Sequence, residues 1–253
     1  MRAVILAGGR GSRLQALTGD LPKVLVPIAG RPLLEYLFDV LRYHGITDIV
    51  LCTGHAAEKI EAWAGDGTRF GVRIRSSREA VPLGTAGAVR NVRYPLEETF
   101  LVLYGDVLCW LDLSSLVCFH RDKKAAATLV VHPTSHPEDS DLVEIDAEGR
   151  ITSFSRPGSE RRPRTDLSSA ALYVLEPRSL FYIPPGVPKD FVKDVFPEML
   201  RAGERLYGYR TAEYLKDIGT PQRYEEALED VRQGRYPGRG PAHQRSPEGA
   251  QTS

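Results

Sequence analysis

The residues best suited to chemistry cluster in one stretch, Ala3 to Lys23, AVILAGGRGSRLQALTGDLPK. Gly8, Gly9 and Gly11 give a loop without side-chain bulk, whose backbone N–H groups can turn toward a bound anion. Arg13 and Lys23 bring two cations to the same region. Ahead of the loop, Ala3 to Ala7 is short, apolar and rich in branched residues, and it reads as a buried strand. A strand ending in a glycine loop with two following cations suits a triphosphate. Neither common phosphate loop fits. A Walker A loop needs G-x-x-x-x-G-K-[ST], and no lysine follows these glycines at that spacing. The dinucleotide fingerprint needs a third glycine where Leu14 stands. The plainer alternative is a strand-to-helix turn that is glycine-rich only for packing.

A second candidate is Asp106. Thr99 to Tyr104 (TFLVLY) is wholly apolar apart from its ends and should be a central strand. Gly105-Asp106 follows it, and in an open α/β sheet ligands gather at the carboxyl ends of strands. An aspartate there is placed to hold a metal; the alternative is an Asx turn opening the next connection. His132 and His136 are four apart, but Pro133 and Pro137 argue against one helical face, so they read as loop histidines rather than metal ligands. Asp139-Ser140-Asp141 mimics the D-x-D of metal-dependent glycosyltransferases, yet no central strand leads into it, and a solvated acidic loop is expected. Cys52, Cys109 and Cys118 contain no C-x-x-C; the first two lie in or beside apolar stretches and should be buried thiols.

The elements that must position these residues follow from periodicity. Val24 to Pro27 reads as extended. Leu33, Leu34, Leu37, Val40 and Leu41 predict a helix from about Pro32 to His44, stopped by Gly45. Asp48–Thr53 is a second strand, a helix follows around 56–63, and Val72 to Arg75 alternates like a half-buried strand. Glu79 to Val89 is crowded with small residues and enters a helix after Gly84 or Thr85, with Thr85 as its cap. This β-α-β-α-β order predicts a mainly parallel sheet with helices on both faces. Further on, a helix over 113–120 and a strand over 126–131 are expected. A hairpin over 142–154 and a strand over 168–175 would form a small, partly antiparallel outer layer. A helix over 190–200, ended or bent by Pro197, a strand over 206–210, and a strand leading to a helix near Pro221 complete the pattern. One domain, residues 1–234, is expected, with a disordered tail over 235–253 that has almost nothing to bury.

Composition is that of an ordinary globular chain: 253 residues, 42% hydrophobic, 26% charged, formal net charge zero. Zero net charge gives no reason to expect nucleic acid or an acidic membrane as partner. With no basic-then-apolar leader and no apolar run of membrane length, a cytoplasmic protein is expected. Apolar residues near Phe181-Tyr182-Ile183 could make a contact between copies in a homo-oligomer.

LAGGRGSRL, PLGTAGA, YGD and YLKDIGTP occur in the order found in sugar-1-phosphate nucleotidyltransferases, and the chain resembles that family over about residues 1 to 234. It is most similar to the short bacterial branch of D-glycero-D-manno-heptose 1-phosphate and mannose 1-phosphate guanylyltransferases. The resemblance implies a Rossmann-like, GT-A-like fold, and a reaction of NTP with sugar 1-phosphate that gives an NDP-sugar and pyrophosphate. It places Leu6, Ala7, Gly8, Gly9, Gly11, Glu79, Pro82, Gly84 and Thr85 at the nucleotide. Lys23 falls on the α-phosphate and Arg13 on the β- and γ-phosphates. Asp106 and Asp217 would share one Mg²⁺, and Tyr104, Gly105, Arg156 and Ser169 would serve the sugar phosphate. Because PLGTAGA lies over the base in this family, Glu79 suits a base edge that presents two donors, as guanine does, which favours GTP.

Two departures fall on the acceptor side. The family often has F-x-E-K-P where this chain has Phe154-Ser155-Arg156-Pro157, and N-A-G-x-Y where it has Ser169-Ala170-Ala171-Leu172-Tyr173. Nucleotidyl transfer is therefore better specified than the sugar. Two other classes compete with this reading. A regulatory, nucleotide-sugar-binding module without catalysis predicts loss of Arg13, Lys23, Asp106 or Asp217, and all four are present. A D-x-D glycosyltransferase would have no use for the pyrophosphate-facing glycine loop.

Overall fold

The computed structural model describes residues 1–14, 19–134, 136–155 and 165–238. Among the described residues the strands of more than two residues are β1 (Arg2–Leu6), β2 (Asp48–Thr53), β3 (Arg73–Arg78), β4 (Phe100–Tyr104), β5 (Val107–Trp110), β6 (Ala127–Pro133), β7 (Leu142–Ile145), β8 (Ile151–Ser155), β9 (Leu167–Leu175), β10 (Leu206–Arg210) and β11 (Tyr214–Asp217). The α-helices are α1 (Leu33–Tyr43), α2 (Ala57–Ala64), α3 (Gly84–Arg90), α4 (Leu113–Asp122), α5 (Phe196–Arg201) and α6 (Pro221–Arg232).

β1 pairs in parallel with β2 on one side and β4 on the other, and β3 extends the parallel run beyond β2. β9 then joins antiparallel to β4 and carries β6 on its other edge, with β10 parallel to β6. The hairpin of β7 and β8 attaches at Ser168↔Leu142. β5 leaves the main sheet to pair antiparallel with β11. The mainly parallel sheet and the small antiparallel layer match the expected class.

β1 shows why both sheet faces are covered. Ala3 and Ile5 point into one core with Leu34, Leu37, Phe38 and Leu41 of α1. Val4 points into the other, with Ala86 and Val89 of α3 and Phe191 and Phe196. Successive side chains of a strand face opposite ways, so a strand apolar at every position must be buried twice. The exposed edge strand β3 carries Arg73 and Arg78, charges that discourage pairing with another chain.

Several local expectations are corrected. Lys23–Leu25 is a 3₁₀ turn, not extended chain. Val107–Trp110, unassigned from sequence, is a strand. Pro197 opens α5 at its first turn, where no N–H is needed, and a π-helix, Phe191–Val195, precedes it. His132 belongs to β6 and is half-buried, while His136 is exposed beside Glu138. Asp139 ends an exposed 3₁₀ turn. Cys52 and Cys109 are buried thiols. Of Phe181-Tyr182-Ile183, Phe181 is exposed and Ile183 buried. Tyr236, placed by the sequence in a tail, is buried: it meets Tyr36 and Tyr214 edge-on and its hydroxyl donates to the Cys109 carbonyl. Residues 239–253 lie outside the described residues.

Candidate active site

A cavity of about 570 Å³ opens at the carboxyl ends of β1, β2, β3 and β4, the position where an open α/β sheet offers a crevice. Leu6, Ala7, Gly8, Gly9, Lys23, Glu79, Pro82, Gly84, Thr85, Tyr104 and Asp106 all line it. The chain turns away from β1 because Ala7 N–H donates to the Cys52 carbonyl and Gly8 carbonyl accepts from His55 N–H. Gly9 has open space around it, so its backbone faces the cavity unobstructed.

Glu79 follows β3. Its Oε2 accepts from Leu83 N–H at 3.0 Å. Its Oε1 occupies the space over Gly8 and Gly54: a Cβ on either would come within 2.8 Å of it. Both glycines leave the space that this carboxylate oxygen fills. Burial raises the Glu79 carboxyl above its ordinary value, and the Leu83 N–H opposes that rise.

Gly84 and Gly87 both lie against the backbone of residues 187–189. A Cβ on Gly84 would sit 2.5 Å from the Lys189 carbonyl oxygen, and Gly84 has φ +72°. A Cβ on Gly87 would sit 2.9 Å from the Val187 carbonyl oxygen. Ala86 N–H and Gly87 N–H both donate to the Lys189 carbonyl. The glycines thus dock the start of α3 against residues 187–190. Thr85 does not cap α3, whose N-cap position is Leu83. Its hydroxyl donates to Asp190 Oδ2 at 2.8 Å and accepts from Phe191 N–H at 3.0 Å.

Lys23 Nζ lies 2.6 Å from Asp106 Oδ2. Gly11 does not line the cavity. It has φ +61°, and a Cβ there would meet Lys23 Cβ at 3.0 Å, so it makes room for the lysine stem. Gly105 also stands behind the wall. Its N–H donates to the Leu6 carbonyl, and a Cβ would meet that oxygen at 2.8 Å, so it lets β4 close on β1. Arg13 is exposed on the 3₁₀ turn Ser12–Leu14 and is not among the lining residues.

Asp217 ends β11 opposite Val107, and Ile218 N–H donates to the Asp106 carbonyl at 2.9 Å. The ends of two paired strands therefore carry the two aspartates. A Cβ on Gly219 would lie 2.7 Å from Asp217 Oδ1 and 3.7 Å from Lys23 Nζ, so Gly219 fills the space between that carboxylate and the ammonium, while Asp217 itself is not among the cavity's lining residues. Two carboxylates fit a hard cation that takes its other ligands from phosphate and water. Among the described residues no group of three or more His, Cys, Asp or Glu could hold a metal unaided.

Behind Tyr104 of the cavity wall, Ser169 Oγ donates to Tyr173 OH at 3.3 Å, which donates to Tyr104 OH at 3.5 Å. Burial pushes both phenols up, so both stay protonated. Ser169 thus reaches the cavity wall through two hydroxyls. Arg156 lies outside the described residues.

The sequence reading missed Arg10, His55, Val81, Ala88 and Asp190, all of which line the cavity. Arg10 and His55 stand beside glycines at strand ends, a signal that could have found them. Asp190 carries none, because its link to Thr85 spans 105 residues.

The sequence pattern of the nucleotidyl transferase family matches residues 2–234. The chain belongs to this family. Among curated members, mannose-1-phosphate guanylyltransferase of Mycobacterium tuberculosis is 36% identical over 237 residues. That match takes in 93% of this chain and 66% of the relative. A UTP–glucose-1-phosphate uridylyltransferase of Synechocystis is 35% identical, over 91% of this chain and 63% of its own length. This nucleotidyl transferase family member therefore spans just under two thirds of those two relatives. D-glycero-α-D-manno-heptose 1-phosphate guanylyltransferase of Aneurinibacillus thermoaerophilus is 31% identical and is covered over 98% of its length, with 91% of this chain. Among solved structures, HddC from Yersinia pseudotuberculosis complexed with GMP-PN has TM-score 0.76 and 27% identity over 90% of this chain and 98% of its own. A Bacillus anthracis protein with TM-score 0.81 and 22% identity, covering 90% and 94%, shares the fold. No helix among the described residues is long and apolar enough to cross a membrane.

Proposed function

We propose that this chain transfers a nucleoside monophosphate from an NTP, with GTP preferred, to a sugar 1-phosphate of manno or heptose type. An oxygen of the sugar phosphate attacks the α-phosphorus, the bond to the β-phosphate oxygen breaks, and pyrophosphate leaves with the electron pair. No side-chain nucleophile is needed, so the protein's work is positioning and charge neutralisation. The observation that carries this reading is the crevice where the Gly8-Gly9 backbone, Lys23 and Asp106 meet, with Asp217 ending the strand that pairs beside Asp106.

Gly8 and Gly9 give the phosphates close access to backbone N–H groups. Lys23 neutralises charge at the α-phosphate, exchanging Asp106 for substrate oxygen. Arg13, exposed in the fold, reaches the β- and γ-phosphates by turning inward. Asp106 and Asp217 would hold Mg²⁺, which when bound offsets phosphate charge. Tyr104 and Ser169, with Arg156, serve the sugar phosphate. The substitutions at Ser169 and Ala171 fit an acceptor different from that of the common family pattern.

GTP is favoured by Glu79 and by the names of the guanylyltransferase relatives. Glu79 Oε1 is the oxygen left to accept from a base N–H, Oε2 being engaged by Leu83. The test is product formation: GTP and mannose 1-phosphate or D-glycero-D-manno-heptose 1-phosphate should give a GDP-sugar detectable by mass spectrometry. Glu79→Gln should lower the kcat/KM ratio of GTP to UTP by about tenfold or more, since a polar group built for one donor edge discriminates strongly. An unchanged ratio removes Glu79 from base selection.

A further inference from the structure

Asp217 already has a cationic partner. Arg223 Nη1 lies 2.9 Å from Asp217 Oδ1 and 2.8 Å from Oδ2. Oδ1 also accepts from Gly219 N–H at 2.9 Å. The local fold arranges this. β11 ends at Asp217, the turn 218–220 follows, and Thr220 caps α6 by accepting from Arg223 N–H. The first turn of α6 thus brings a guanidinium back onto the carboxylate that ends the strand. Asp106, across the strand pair, holds Lys23. Two carboxylates and two cations make a cluster of zero formal charge, which attracts a free divalent cation weakly. One Nη1 within bonding distance of both Asp217 oxygens also occupies the approach between them.

We propose that Arg223 is a positioning residue that competes with the divalent metal for Asp217. By holding that carboxylate neutralised, it disfavours uptake of the metal alone and favours uptake together with the nucleotide, whose phosphate oxygens add to the donor set and the negative charge. The inference rests on Asp106 and Asp217 being the metal carboxylates. Arg223 is about a quarter exposed and Asp217 nearly half, so the pair can separate without unfolding α6, and an ion pair this accessible is displaced at modest cost.

The probe is Mn²⁺ alone, titrated into nucleotide-free protein and followed by the electron paramagnetic resonance of free Mn²⁺. Arg223→Gln should bind Mn²⁺ about tenfold more tightly than wild type, the scale of one charge-assisted hydrogen bond. Arg223→Lys, which keeps the charge without the planar fork, should fall between them. Asp106→Asn should weaken binding in both backgrounds. If Asp106→Asn weakens binding while Arg223→Gln matches wild type or binds less tightly, the competition is overturned and the carboxylate site stands. If Asp106→Asn and Asp217→Asn leave Mn²⁺ binding unchanged, the site assignment fails and the role of Arg223 with it. Absence of Mn²⁺ binding in Arg223→Gln overturns the inference as well.

Discussion

Glu79 joins sequence, electrostatics and function in one side chain. Its folded carboxyl sits above the ordinary value of 4.5 because burial disfavours the charged form. A group of this kind binds more protons folded than unfolded. Its contribution to stability is fully present below pH 4.5 and is lost as pH rises through the folded value. Thermal melting of wild type and Glu79→Gln over the acid range should therefore diverge, with the variant gaining relative stability as pH rises above 4.5. Parallel melting curves would mean that Glu79 is as well solvated in the fold as in the unfolded chain. At this scale the sequence was informative where chemistry is local. Gly8, Gly9 and Glu79 follow strands that their own neighbours predict, and the structure brings them together with Lys23 at one crevice. Asp190 and Arg223 were not legible. The roles of both depend on turns that bring a side chain back onto a partner, and one of those partners is distant in the chain.

The segment over 82–90 separates two uses of glycine. Gly84 combines φ +72° with a Cβ position 2.5 Å from the backbone oxygen of Lys189. Gly9 has nothing within 4 Å. Gly84→Ala should cost about 2–3 kcal/mol, from left-handed backbone strain plus overpacking, read as a lower denaturant midpoint. Gly9→Ala should leave that midpoint nearly unchanged and weaken NTP binding, because its methyl group would stand where phosphate approaches. The reverse pattern would contradict the placement of both. β9 offers a second element-scale test. Ala171 has φ +55° where the β9–β6 register shifts, between Ser169 and Tyr173. A side chain in that region costs about 1–2 kcal/mol, partly offset by the greater unfolded-state freedom of glycine. Ala171→Gly should stabilise the protein by about 0.5–1 kcal/mol, measured by chemical denaturation; a loss of stability would show that the methyl group's packing outweighs the strain. The bulge could not be read from alternation, since Ala170 and Ala171 fit a regular strand. β5 was missed because Val107–Trp110 follows Asp106 so closely that it reads as part of a connection.

At the scale of the whole molecule, the parallel order of β1, β2, β3 and β4 was legible because β1, β2 and β4 are short apolar runs, β3 begins with an alternating one, and helical periods lie between them. The antiparallel insertion of β9 was legible only as a change of rhythm, and its partners on both edges were not. The arrangement places one set of strand ends, β1 to β4, around the cavity and lets β5 and β11 deliver a second set to its rim. The proposed reaction joins NTP to sugar 1-phosphate in this crevice. The most direct measurement is pyrophosphate release by the purified protein with Mg²⁺, each common NTP in turn, and a panel of hexose and heptose 1-phosphates. Release should require both substrates, be greatest with GTP and a manno-configured phosphate, and fall by about 10²–10³ in Lys23→Ala, the scale of losing one preorganised electrostatic contact. NTP binding without pyrophosphate release from any pair, or release undiminished in Lys23→Ala, would contradict it.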